Sequence, residues 1–216
     1  NRWPCHRRSW AEGFSFQPSF QEREHTLSES PEKAQDSVAV GVSDEASSAS
    51  DPGRVRIVRW QDPAIVLNAM RQMTGLDYLR AMQRGEVPIP PIAALMNYRL
   101  AEVEEGRAVF TFEPAEYHYN PLGIAHGGVA ATLLDTAMAC AMQTLSPVGM
   151  GYTTLEIKVN YLRPIVMGLG VLSSEGTVIN ISRRVGVAEG RITDASGKLY
   201  AHATTTCLVF DANQAR

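Results

Sequence analysis

The run Asn120-Pro-Leu-Gly-Ile-Ala-His126-Gly127-Gly128 is followed, eight positions after Gly127, by a single carboxylate, Asp135. The His-Gly-Gly turn opens a nearly all-apolar segment, and Asp135 sits two turns into it among Leu133, Leu134, Ala137 and Met138. A helix start offers unpaired backbone N–H groups and the positive end of a dipole. A carboxylate on a buried helix is costly unless it has a partner or a task. The pair therefore points to an anion-stabilising amide at one place and an acid/base or nucleophilic carboxylate at another. Alone, His-Gly-Gly reads equally well as a tight turn, because glycine reaches unusual φ/ψ at little cost. It is the combination with Asn120 and Asp135 that favours chemistry.

These residues need a helix and a sheet to hold them. The apolar segment predicts a helix from about Gly128 to Leu145, which Pro147 stops. Before it, Tyr98–Val103 and Arg107–Phe112 flank Glu105-Gly106 as a hairpin. After it come four strand-like runs: Tyr152–Leu162, Gly170–Ile181, Arg184–Thr193 and Lys198–Phe210. In the first of these, Leu155, Ile157, Val159 and Tyr161 alternate with Thr154, Glu156, Lys158 and Asn160. Further upstream, Asp62-Pro63 is a helix start, with Gly75 breaking or bending the helix and Pro88-Ile-Pro-Pro91 ending it. That helix is expected to cover the core. Arg54–Trp60 reads as a short strand or an extended lead-in. The order predicts an α+β fold in which a curved antiparallel sheet wraps one long central helix, with an N-terminal helix before it.

Residues 1–54 differ in composition. From Thr26 to Gly53 the chain is mostly Ser, Glu, Ala, Asp and Lys, which is too polar to offset its own ordering entropy. The reading is a disordered tail over 1–54, a lead-in and helix over 55–91, and the main domain over 92–211. Net charge is -3, which suggests no nucleic-acid or anionic-membrane partner. Cys5, Cys140 and Cys207 are far apart, and the latter two read as core fillers in a reducing compartment. No apolar run approaches the roughly 18 residues of a membrane span. The start of the chain lacks the apolar core of a signal peptide, so the expected location is cytoplasmic. His6, His25, His118 and His202 show no metal-ligand spacing, and no metal or separate cofactor is expected.

Asn120-x-x-Gly123-x-x-His126-Gly127-Gly128 with Asp135 resembles the PaaI-type thioesterases of the hot-dog fold superfamily. The likeness continues through Gly151-Tyr-Thr-Thr-Leu-Glu-Ile-Lys-Val-Asn-Tyr-Leu-Arg-Pro164, Arg183-Arg184, Asp194-Ala-Ser-Gly197 and Ala201-His-Ala-Thr-Thr-Thr-Cys207. It spans roughly residues 60–210. The resemblance implies hydrolysis of acyl- or aryl-coenzyme A thioesters, with coenzyme A as part of the substrate. It implies that the Gly127 amide binds the thioester oxygen and that Asp135 is the general base or nucleophile. It further implies that Asn120 holds the carbonyl or the attacking water, that His126 shapes the turn, and that Thr154, or next to it Thr153, positions water. Gly123 and Gly128 would shape the substrate site, and Arg163, Arg183 and Arg184 are candidates to grip coenzyme A phosphates, since guanidinium suits them. Where some relatives carry a Thr one turn after the acidic position, this chain has Ala139.

Spacing adds an expectation about assembly. Along one helix, Gly127 and Asp135 are about 12 Å apart at about 1.5 Å per residue. A carbonyl about 3 Å from the Gly127 amide is out of reach of Asp135 on the same helix. If both act on one thioester, Asp135 comes from a second copy, as two antiparallel helices about a two-fold axis would allow. A homodimer or a dimer of dimers is expected, with pocket walls from Pro88–Met96, the N-terminal helix and the partner chain. Two alternatives stay open: an acyl-thioester hydratase or dehydratase, and a non-catalytic acyl-coenzyme A-binding module.

Overall fold

The computed structural model describes residues 53–212. The tail expected over 1–54 lies, but for its last two residues, outside the described residues, as do Cys5, His6 and His25. Arg54–Trp60 runs without helix or strand, so it is the lead-in and not the strand. α1 (Pro63–Gln72) starts where the Asp-Pro signal places it, and the Asp62 carboxylate accepts from the Ala64 amide at 2.9 Å. Gly75 does more than bend this helix. It begins a separate one, α2 (Gly75–Gln83), capped by Thr74. The Gly75 amide donates to the Ser146 carbonyl at 2.9 Å, and a Cβ at Gly75 would lie 1.7 Å from the Gln143 carbonyl oxygen. Only glycine lets α2 dock that closely on the end of the central helix. A short α3 (Pro91–Met96) follows and ends in Asn97, in the left-handed region at φ 56°.

Six strands then form one antiparallel sheet: β1 (Tyr98–Glu104), β2 (Arg107–Phe112), β3 (Met150–Tyr161), β4 (Leu172–Ile181), β5 (Val185–Thr193) and β6 (Leu199–Asp211), in spatial order β1-β2-β4-β5-β6-β3. The long helix α4 (Gly127–Gln143) lies on one face. Leu133, Leu134, Ala137, Met138, Ala141 and Met142 are buried along it. Its close approach is permitted by three glycines on neighbouring strands. A Cβ at Gly176 would lie 2.3 Å from the Ala137 backbone, while Cβ atoms at Gly186 and Gly190 would strike Met142 and Met138. β1 and β3 are the sheet edges.

The alternation expected in β3 breaks at one point. Thr154 pairs with Cys207 and Glu156 with Thr206, so Leu155 is an extra residue in a bulge. A bulge shifts the side-chain phase of a strand. Upstream of it, Tyr152 and Thr154 face α4; downstream, Ile157 and Val159 do. Leu155 is left exposed. Thr154 therefore shares the inner face with Ile157, not the outer face with Glu156.

Candidate active site

The start of α4 is built from the turn before it. The Asn120 carboxamide oxygen accepts from the Leu122 amide at 2.9 Å, and the Asn120 backbone pairs with Gly123 and Ile124. Gly123 has φ 72°, the left-handed region that favours glycine. With its oxygen so engaged, Asn120 has its carboxamide N–H₂ to offer. Beneath the turn, buried His118 accepts from the Ala115 amide at Nδ1 and donates from Nε2 to the Met96 carbonyl, each at 3.0 Å. Burial lowers its pKa and keeps the ring neutral. Its backbone carbonyl accepts from the His126 amide at 2.7 Å. His118 is thus a support that the residue pattern did not reveal.

His126 caps α4. Its Nδ1 accepts from the Gly128 amide at 2.9 Å, so the neutral ring carries its proton on Nε2. Val129 donates to the His126 carbonyl. The amides of Gly128 and Val129 are thereby taken. That of Gly127 has no acceptor among the described residues, so the first turn leaves one amide for a ligand. Tyr161 packs on Gly127, its hydroxyl donating to the Gly127 carbonyl at 3.2 Å, and a Cβ there would lie 3.2 Å from the Tyr161 ring. Asn120, His126, Gly127, Tyr161, Arg163 and Tyr200 all line one cleft of about 310 Å³. Arg163 also donates to the Leu199 carbonyl.

Asp135 faces a different space. The Thr154 hydroxyl donates to its Oδ1 at 2.8 Å, and Cys207 Sγ is 3.8 Å from the Thr154 oxygen. The bulge at Leu155 is what turns Thr154 inward to make this bond. Asp135 lines a cavity of about 270 Å³ that shares no lining residue with the Gly127 cleft. Its walls include Met70, Tyr78, Pro90, Ile92 and Tyr152, so the Pro88–Met96 segment and the N-terminal helices do form walls. Cys140 also lines it. Burial pushes its thiol up to about 12, so at neutral pH it is protonated and unreactive.

Of the residues singled out from sequence, one chain brings Asn120, His126, Gly127 and Arg163 together, and separately Asp135 and Thr154. Gly128 adjoins the cleft as the capped amide. Gly123 shapes the turn but does not line the cleft. Thr153 is exposed on the face opposite Thr154. Arg183 and Arg184 lie exposed in the β4–β5 turn, next to the Val185–Leu208 pair. Leu199 and Ala201, which flank the cleft residue Tyr200, pair with Thr193 and Ile192 at the other end of β5.

The family model of the thioesterase superfamily matches residues 122–201. The chain is 32% identical over 115 residues to 1,4-dihydroxy-2-naphthoyl-CoA hydrolase of Listeria monocytogenes, covering 53% of this chain and 91% of that protein. The chain belongs to the thioesterase superfamily. A phenylacetic acid degradation-related protein of Ralstonia eutropha superposes with a TM-score of 0.56 at 28% identity, covering 61% of this chain and 98% of that one. A mutant of the phenylacetic acid degradation protein PaaI of Thermus thermophilus gives 0.50, also at 28%, covering 55% and 98%. The fold of this chain is the hot-dog fold of PaaI-type thioesterases. α1 and α2 lie before the residues that the family model matches. Among the described residues, no helix is long and apolar enough to cross a membrane.

Proposed function

We propose that this protein hydrolyses acyl- or aryl-coenzyme A thioesters to a free acid and coenzyme A, at active sites each assembled from two copies of the chain. One observation carries this reading. The open Gly127 amide and Asp135, whose carboxylate Thr154 of β3 holds, sit on one helix but line cavities with no residue in common. In the proposed step, the thioester oxygen rests on the Gly127 amide of one protomer. Asp135 of the other takes a proton from water, with Thr154 holding Oδ1 so that Oδ2 faces the water. The water oxygen bonds to the carbonyl carbon, and the negative charge that develops on the carbonyl oxygen falls on the amide, a donor worth on the order of 3 kcal/mol in acyl transfer. Collapse breaks the C–S bond, and the Asp135 proton passes to the departing sulfur. The chemistry calls on no metal or further cofactor.

The sheet supports the dimer. β3 is a 12-residue edge strand with exposed Leu155, and an open edge is a template for pairing. Two β3 edges joined about a two-fold axis would set two α4 helices antiparallel on one continuous sheet. A dimer of dimers would repeat that unit.

The test is release of free thiol from short, medium and aromatic coenzyme A thioesters, with Asp135→Ala as control. Release that vanishes in the variant supports the reading. Release that persists removes Asp135 from it. Silence on every substrate would favour an acyl-coenzyme A-binding module.

A further inference from the structure

The cavity beside Asp135 is roofed by the two N-terminal helices. Val66 and Met70 come from α1, Tyr78 and Met82 from α2. Among the described residues, Asp135 is the one charged side chain that lines it. The polar groups of the wall are largely engaged with each other. The Tyr98 hydroxyl meets Thr136 Oγ1 at 3.2 Å, and Tyr152 faces Cys140, both kept neutral by burial. The space is about 270 Å³, room for roughly nine groups of water or methylene size at about 30 Å³ each. The two helices pack differently. Tyr78, Leu79 and Met82 of α2 are buried, whereas no residue of α1 is. α2 is a fixed wall and α1 a thinner cover resting on it.

We infer that this cavity is the chamber for the acyl group, that it admits compact, uncharged acyl groups, and that Met70 and Tyr78 set their size limit. This rests on the thioesterase reading above and goes on to name a substrate class and the residues that select it. The chamber opens where the attacked carbon must lie, since Asp135 is part of its wall. A carboxylate on the acyl group, as in a succinyl thioester, would lose its hydration among apolar side chains and meet the Asp135 charge. A long chain would have to displace Tyr78 and Met82 from buried positions.

The test is kcat/KM on straight-chain acyl-coenzyme A thioesters from roughly four to roughly sixteen carbons, together with one single-ring aryl thioester and succinyl-coenzyme A. It is run on the wild-type protein, Met70→Trp, Tyr78→Ala and, on the outer face of α1, Leu67→Ala. Expected for wild type is an optimum near eight carbons with about a tenfold or greater fall at the long end and on succinyl-coenzyme A. Met70→Trp should cut the optimum substrate about tenfold and spare the shortest, while Tyr78→Ala should move the optimum to longer chains. Leu67→Ala should match wild type. Thermal unfolding establishes that each variant is folded, and if Tyr78→Ala is not, Met70→Trp carries the test. A length profile unmoved in the folded variants, or succinyl-coenzyme A turned over as fast as the best substrate, overturns the chamber. Wild-type silence on every thioester overturns the hydrolase reading beneath it.

Discussion

The first turn of α4 and its third turn belong to the same apolar helix, yet they are equipped in opposite ways. At the first turn, hydrogen bonds to the loop do the work. His126 and Asn120 spend their acceptors on neighbouring amides, and what remains for a ligand is N–H groups. At the third turn, a carboxylate is held by one hydroxyl in an apolar chamber, and what remains is an acceptor. One region offers donors suited to negative charge and the other an acceptor suited to a proton. Hydrolysis of a thioester needs both within a few ångströms, and the helix holds them about 12 Å apart. Under the proposed function, the difference means that a single α4 carries halves of two sites.

The comparison breaks most visibly at its carboxylate. Asp135→Ala should leave a folded protein and lower kcat by about 10²–10⁴-fold, the usual contribution of a positioned base, read by thiol release. Thr154→Val removes only the hydroxyl that holds Oδ1. A hydrogen bond to a charged group is worth about 1.5–3 kcal/mol, so kcat should fall by roughly 10–100-fold with KM little changed. Equal effects on kcat and KM would show that Thr154 serves binding instead.

Both regions depend on where α4 lies on the sheet. Gly176→Ala drives a Cβ into the Ala137 backbone, and urea unfolding should show a loss of about 1–3 kcal/mol. Gly186→Ala meets the flexible end of Met142 and should cost less. The reverse order would mean that α4 moves more easily than its packing implies.

The smallest effect should lie beside the cleft. The Asp194 carboxylate accepts from Ser196, from the Lys198 amide and from Tyr200, which lines the cleft. These bonds, that from the Ser196 hydroxyl foremost, lower its pKa from 3.8 to about 2. A depressed folded-state pKa contributes stability above the unfolded value, and that contribution disappears as pH falls through the folded one. Asp194→Ala should lower Tm by a few degrees at about pH 5, and the difference from wild type should shrink between about pH 4 and pH 2.

Much of this was legible beforehand. The Asp-Pro start, the Glu-Gly hairpin and the apolar run of α4 are local signals; the hairpin strands and α4 formed within about two residues of their expected ends, while the N-terminal helix split at Gly75 and stopped at Gln83, short of Pro88. The separation of Gly127 from Asp135 followed from helix rise alone. What stayed hidden depends on distant partners. The bulge at Leu155, which aims Thr154 at Asp135, is a matter of pairing with β6 and leaves no mark on an alternating sequence. His118 matters only because the turn closes over it, and Tyr161 because β3 ends beside Gly127. Arg183 and Arg184 look equivalent to Arg163 by type, but the strand register puts them at the far end of β5.

The central claim is that each site takes its amide from one chain and its carboxylate from another, and mixing two inactive variants tests it directly. Asp135→Ala protomers lack the carboxylate of the site but keep the Gly127 amide. Gly127→Val protomers place a branched side chain against Tyr161 at the amide. Unfolded and refolded together in equal amounts, they should form mixed dimers in which one site is intact, recovering roughly a quarter of wild-type turnover. If each chain carried a whole site, every site in the mixture would be broken, and activity no greater than that of the separate variants would contradict the account.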